Sequence, residues 1–442
     1  MRAWRTLLWG LVLWLPAAQA GLLESIYLQA LDRAPAWRAA QEAYASVEAA
    51  RPVARSGLLP AVSIDGAYGR VRDETRSTRS PFVFDDTIYA DVSAAFVRLR
   101  QPLFDSQAWS RWDQFEQQEA RALLDLRQAE QDLILEVTRR YLSWLEAGAA
   151  LDFATSHLKT MDKSLEQVSN REELGLALRS DRMVIQAGRD AADADVLAAA
   201  AALRATREAI RELLGDVPEY PTPLQEPIPL AVPEPADPGP WVAQAQQSNP
   251  AVAIALIEQA LAQEQLDERK AQRLPTLALE GRYGYTNTRE FQLGREWDDA
   301  RLELRMEWPL YVGGAISGRI DVGARVLNQR AYELEAARRA AERQARDAYD
   351  GVVNGVMRVR AARRLLQSSE EALRAINGRF ESGLATLAEQ LEAAGHVRKA
   401  RRDLAAVRHV YLMSRLHLTA AVGALGEGDL RSIDGLLAER AR

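Results

Sequence analysis

The chain has 442 residues, no cysteine, a formal net charge of −6 and 48% hydrophobic residues. The missing cysteines exclude a disulfide framework and a lipid-bearing cysteine anchor, and the acidic balance argues against nucleic acid as a partner. Such a length fits two or three ordinary domains or one elongated repeat.

Taken in order, Arg2 and Arg5, the apolar run Thr6 to Pro16 and Ala18-Gln19-Ala20 read as a secretory signal peptide, 1–20, with a mature start near Gly21. Its removal leaves a net charge of roughly −8. The apolar run is too short to span a bilayer, and no later window approaches the roughly 18 apolar residues that a spanning helix needs. Any passage through a membrane therefore falls to strands. Leu22 to Ser56 reads as an Ala-rich helix, with Pro35 near its start and Pro52 kinking its end. The segment LPAVSIDGAYGRV, Leu59 to Val71, then places Val62, Ile64 and Tyr68 on one face of a strand, with Ser63 and Asp65 on the other. A polar loop from Arg72 to Asp91 precedes a second strand, where Ala95, Val97 and Leu99 oppose Phe96, Arg98 and Arg100. Gln101-Pro102-Leu103-Phe104 closes it, because proline cannot donate to a ladder.

Helix-favouring sequence follows for about 73 residues to Gly175-Leu176-Ala177, on the order of 110 Å of helix, which needs a coiled-coil or helical-barrel neighbour. A return helix reaches Leu213-Leu214-Gly215, and nine of the eighteen prolines then lie between Pro218 and Pro240. That density excludes helix and central strand and leaves an extended connector. A further helix runs from Trp241 to Arg273, and LPTLALEGRYGYT, Leu274 to Thr286, repeats the Leu-Pro and Gly-x-Tyr-Gly of the first strand at an offset of about 215 residues. After a shorter loop, Asn287 to Asp299, the fourth strand alternates without a break. Leu302, Leu304, Met306 and Trp308 point one way, and Arg301, Glu303, Arg305 and Glu307 the other. A fully charged row opposite an oily one suits a barrel wall between lipid and a water-filled lumen, while a strand in a soluble sandwich stays open as the other reading. Trp308-Pro309-Leu310-Tyr311 matches the earlier proline exit. No proline occurs beyond it, and a second long helix runs to Gly383-Leu384-Ala385 before a return towards Gly426.

The predicted organisation is a signal peptide (1–20), a first repeat (21–215), a Pro-rich connector (216–240), a second repeat (241–426) and a C-terminal tail (427–442). The expected fold class is an α+β membrane protein, an internal duplication of long helical hairpins with four β-strands. Strands of about eleven residues suit a tilted outer-membrane barrel, but four are too few to close one, so closure requires several copies.

These paired Leu-Pro strands, the exits at Gln101 to Asp105 and Pro309 to Gly314, the two Gly-Leu-Ala tips and the run from Ala421 to Leu430 resemble the TolC family of outer-membrane export and efflux channels. The resemblance covers essentially the mature chain. It implies a homotrimer with a twelve-stranded β-barrel in the outer membrane of a Gram-negative bacterium, its lumen lined by Glu280, Arg282, Arg301, Glu303, Arg305 and Glu307. It further implies a periplasmic α-helical barrel that meets an adaptor protein and an inner-membrane pump of the ABC or RND type, as the exit duct of type I protein secretion or small-molecule efflux. At the first tip Gly175, Leu176, Arg179, Ser180 and Asp181 become candidates for adaptor contact, joined by Gly383 and Leu384 at the second. Ser180 or Asp181 equally fits a helix cap. Glu389 and Glu392 are three apart on one helix face, which by spacing alone is a solvated pair. The resemblance makes them the acidic ring of a constricted periplasmic entrance. Family members tie this hairpin down with an Arg and a Tyr, and the matching gate positions here are Ala385 and Phe380, so the usual polar latch is missing.

No enzyme is expected. His157, His396, His409 and His417 lie on predicted helices without ligand-like spacing, and no nucleophile elbow, phosphate loop or dinucleotide fingerprint occurs in a strand-to-helix context. No cofactor or metal is called for. The alternative function is a periplasmic coiled-coil scaffold or adhesion protein without a conducting pore.

Overall fold

The computed structural model describes residues 22–75, 86–215, 221, 223–224, 227–290 and 294–437. The expected signal peptide lies outside the described residues, as do positions 438–442 of the tail and parts of the loops and connector. In chain order the elements are α1 (Leu22–Arg33), α2 (Pro35–Ala49), α3 (Arg51–Ser56), β1 (Ala61–Thr75), β2 (Asp86–Phe104), α4 (Ser106–Glu173), α5 (Arg179–Leu214), α6 (Pro238–Ser248), α7 (Pro250–Ala271), β3 (Thr276–Glu290), β4 (Gly294–Glu307), α8 (Ala315–Glu381), α9 (Leu387–Ala421) and α10 (Glu427–Asp434).

Two expected helices are broken, and the prolines say why. Proline lacks an amide hydrogen and is tolerated only in the first turn. Pro35 therefore opens α2, and Pro52 sits in the first turn of α3, so Leu22 to Ser56 forms three helices. Pro250 opens α7 in the same way, divided from α6 by Asn249, whose side-chain oxygen accepts from Ala251 N at 2.9 Å.

One compact unit comprises Glu130–Trp241, Ala345 onward and the chain up to Arg38. Its core is helix on helix: Ile134, Tyr141, Trp144, Ile210, Leu214, Val359, Tyr411 and Leu412 are all buried. The segment set apart as a C-terminal tail is structured through its described part. Helix α10 buries Leu430 and Ile433, and Asp434 accepts the free amides of Leu23 at 2.8 Å and Glu24 at 2.7 Å. The carboxylate that caps α1 thus comes from the far end of the chain, and a cap of this kind is worth about 1 kcal/mol. The described part of the connector is docked on the same unit. Ile228 is buried, Arg363 donates to Ile228 O at 2.8 Å, and the Tyr411 hydroxyl donates to Ala231 O at 3.1 Å while accepting from Ala231 N at 2.9 Å. Prolines leave an extended segment with carbonyls but few donors, and side chains from the helices supply the missing half.

The other unit comprises Ala39–Ala129 and Val242–Gln344. Within it Glu258 of α7 binds Arg121 of α4 at 2.7 Å and Arg330 of α8 at 3.1 Å, tying three helices at one carboxylate. Its four strands form one antiparallel sheet in the order β1-β2-β3-β4. They run 15, 19, 15 and 14 residues, longer than the expected eleven or so. The described parts of the expected loops continue the ladder, with Arg70 opposite Asp91 and Asn287 opposite Glu296. Alternation marks only the stretch with unlike faces, whereas backbone pairing persists where both faces are polar.

Candidate functional site

Register makes the two faces of the sheet continuous. Residues directly opposite in an antiparallel pair share a face, so Asp65, Phe96, Gly284 and Asp299 form one row. Ser63, Arg98, Arg282 and Arg301 form the next, followed by Ala61, Arg100, Glu280 and Glu303. Arg305 stands one step further, opposite Ala278, and Glu307 opposite Thr276. Every expected lumen residue therefore lies on one face. Asp65 reaches Arg98 at 3.2 Å, Asp299 reaches Arg282 at 3.5 Å, and Arg305 holds Glu280 at 3.1 Å and Glu303 at 3.0 Å. The Arg282 guanidinium sits 3.5 Å from the centre of the Phe96 ring. Phe96 also explains Gly284, where an added Cβ would come within 2.0 Å of Ala95 O and 2.6 Å of Phe96 Cδ1.

The opposite face is apolar and uncovered. Val62, Ile64, Tyr68, Tyr283, Leu302, Leu304 and Met306 are all exposed, Ile64 to 79% and Leu302 to 72%. A patch of this size on one side of a sheet is a surface for lipid or protein, since water gains nothing from it.

The two hairpin tips are built alike. At the first, Gly175 has φ +72°, its amide donates to Glu172 O at 2.9 Å, and Leu176 N donates to Arg171 O at 2.7 Å. At the second, Gly383 has φ +74°, its amide donates to Phe380 O at 3.0 Å, and Leu384 N donates to Arg379 O at 2.8 Å. This paired closure needs a left-handed residue, which accounts for glycine at both. Three residues into the next helix a carboxylate turns back on the entering amide. Asp181 accepts from Leu178 N at 3.2 Å, and Glu389 accepts from Thr386 N at 2.6 Å and from the Thr386 hydroxyl at 2.9 Å. The Thr386 hydroxyl in turn accepts from Glu389 N at 3.3 Å, completing a capping box. The Thr386 amide and hydroxyl, with Arg379 nearby, hold the Glu389 carboxyl below the usual glutamate range. Glu392 points into solvent with His396 Nε2 3.8 Å away.

The profile of the outer membrane efflux protein family matches residues 26–216 and 241–424. The chain belongs to that family. It is similar to the outer membrane protein TolC of Vibrio cholerae, 27% identical over 95% of this chain and 94% of the relative. It is also similar to the alkaline protease secretion protein AprF of Pseudomonas aeruginosa, 24% identical over 98% and 91%. Among solved structures, the CmeC outer membrane channel of Campylobacter jejuni superposes with a TM-score of 0.76 over 95% of this chain and 90% of that one, at 14% identity. The family is one of channel proteins of the outer membrane.

Within this family frame the sequence-derived residues fall into three groups. Glu280, Arg282, Arg301, Glu303, Arg305 and Glu307 share one sheet face. Gly175, Leu176, Arg179 and Ser180 are exposed around the first turn, and Asp181 is half-buried as its cap. Gly383, Leu384, Glu389 and Glu392 surround the second, with the gate positions Phe380 and Ala385 half-buried. Sequence reasoning missed the contacts that join the two arms of each tip: Arg182 to Glu172 at 2.6 Å, and Gln390 Nε2 to Asn377 Oδ1 at 3.0 Å. It also left Asp65, Arg98 and Arg100 out of the charged face, although their alternation was visible in β1 and β2.

Proposed function

We infer that the chain is the outer-membrane exit duct of an export system, and that three copies close their sheets into one twelve-stranded barrel. The observation that carries this reading is the four-stranded sheet with an uncovered apolar face, a charged opposite face and two open edges, β1 and β4. In lipid each unpaired backbone group costs several kcal/mol, so such edges must be paired by neighbouring copies. The apolar face then meets lipid and the charged face lines a water-filled lumen. The two matched segments of the family profile support an internal duplication, with a first repeat at 21–215 and a second at 241–426.

The helical hairpins belong to the periplasmic portion of a Gram-negative envelope, reached after removal of the signal peptide. Their tips are the place for an adaptor, which couples the duct to an inner-membrane ABC or RND-type pump. At the second tip Glu389 and Glu392 from three copies ring the entrance. Phe380 and Ala385 supply no polar latch, so the closed state rests on hairpin packing, and raising salt does not by itself open the channel. The likeness to AprF, named for protease secretion, favours a polypeptide cargo.

Light scattering in detergent tests the assembly, with a trimer expected; a monodisperse monomer would sink it. Leu304→Arg, a cation near the bilayer midplane, should block membrane assembly at a cost of roughly 2 to 4 kcal/mol per copy. Glu303→Gln should assemble normally. Equal yields of the two variants in the membrane would mean that the faces are reversed.

A further inference from the structure

The charged face is not evenly mixed. Arg98 lies directly opposite Arg282, and Arg282 directly opposite Arg301, so three cations stand in one lateral row across three strands. Like charges in that relation are destabilising, so the row does not serve the ladder. Two of the three have local relief, Arg98 from Asp65 and Arg282 from Asp299 and the Phe96 ring. Arg301 makes no ion pair or hydrogen bond among the described residues, and neither does Arg100, although Arg100 stands directly opposite Glu280. The nearest carboxylates in the register, Glu280 and Glu303, are both taken by Arg305. A hollow of about 520 Å³ on this face is lined by all five arginines against just these two carboxylates.

We propose that this hollow is a binding site for oxyanions, the carboxylate or phosphate groups of passing solutes or cargo. It would place a basic collar in the barrel, opposite in sign to the acidic tip. The guanidinium plane offers parallel N–H donors that match two oxygens of one anion, and Arg100 and Arg301 have those donors unengaged. Low-dielectric walls and repetition by three would concentrate the field in the lumen. The proposal rests on the reading of this face as luminal.

The test separates the two. The chain has no cysteine, so Ser63→Cys, in the same row as Arg98, gives a unique thiol. Reaction with a bulky anionic thiol reagent should lower single-channel conductance in planar bilayers; unchanged conductance would sink the luminal reading itself. With that established, inorganic pyrophosphate added from the barrel side should block wild-type channels reversibly, less so as salt rises. No block would overturn the anion site alone. Arg100→Gln with Arg301→Gln should raise the half-blocking concentration about tenfold or more, since the two unengaged forks are lost. If the double variant fails to assemble, Arg301→Lys keeps the charge but loses the two-pronged geometry, and should raise it about threefold. Block unchanged in every variant that conducts would likewise overturn the proposal.

Discussion

The two hairpin tips share a backbone and differ in chemistry. Both close on a left-handed glycine with the same pair of amide-to-carbonyl bonds, and both set a carboxylate at the third position of the following helix. Around that shared frame the first tip exposes Leu174, Leu176, Leu178, Met183 and Val184, each more than half accessible. The second exposes Leu384 and follows it with the exposed polar side chains of Thr386, Glu389, Glu392 and His396. One turn geometry can therefore present an apolar docking knob or a polar, ionisable rim, because the turn is held by backbone bonds and leaves its side chains free. An exposed leucine cluster is worth having only where a partner covers it.

The largest expected effect separates the tips by partner binding. Leu176→Asp with Leu178→Asp should weaken adaptor binding by 2 kcal/mol or more, roughly thirtyfold, as loss of an interface anchor does. Trimer yield and conductance in bilayers should not change. Leu384→Asp should cost clearly less, and equal losses from both tips, measured with immobilised adaptor, would erase the distinction.

Next comes ion block. If Glu389 and Glu392 from three copies ring one entrance as proposed, their six carboxylates would attract and bridge multivalent cations, so wild-type channels should be cation-selective and blocked from the periplasmic side by divalent or trivalent ions. Glu389→Gln with Glu392→Gln should raise the blocking concentration about tenfold with trimers intact, whereas Asp181→Asn should leave it alone. If the double variant keeps the wild-type block, the acidic pair is a solvated helix face with no part in the pore.

The smallest effect is local. Thr386→Ala removes a side-chain cap and should loosen the first turn of α9 by about 1 kcal/mol, seen as faster amide exchange there, while Leu178→Ala removes no side-chain cap. The same turn should respond to acid. The folded Glu389 carboxyl titrates below its ordinary value, so its contribution is full above that value and is lost as pH falls through the depressed one. Exchange in the first turn of α9 that stays flat through this acid range would show that the capping box contributes nothing in solution.

Much of this architecture was legible in the chain because it is periodic and local. Alternation at Val62, Ile64, Leu302, Leu304 and Met306 assigned the sheet faces, since strand geometry sends successive side chains to opposite sides regardless of partners. The Gly-Leu-Ala tips and the proline exits were equally readable, because a left-handed turn and a missing amide are properties of single residues. Tertiary structure decided the rest. Asp434 caps α1 from 410 or more positions away, and no local pattern names that partner. That Arg98, Arg282 and Arg301 stand in one row follows from the pairing of β2 with β3 across the two halves and of β3 with β4, which sets which charges lie side by side. Glu389 shows both levels at once: its spacing from Glu392 was plain in the sequence, but only the closed turn brought Thr386 within 2.6 Å and made one acid a cap while the other remained in solvent. Periodicity is inherited from the backbone of each segment, whereas charge pairing depends on distances between segments, and those exist only once the chain has folded.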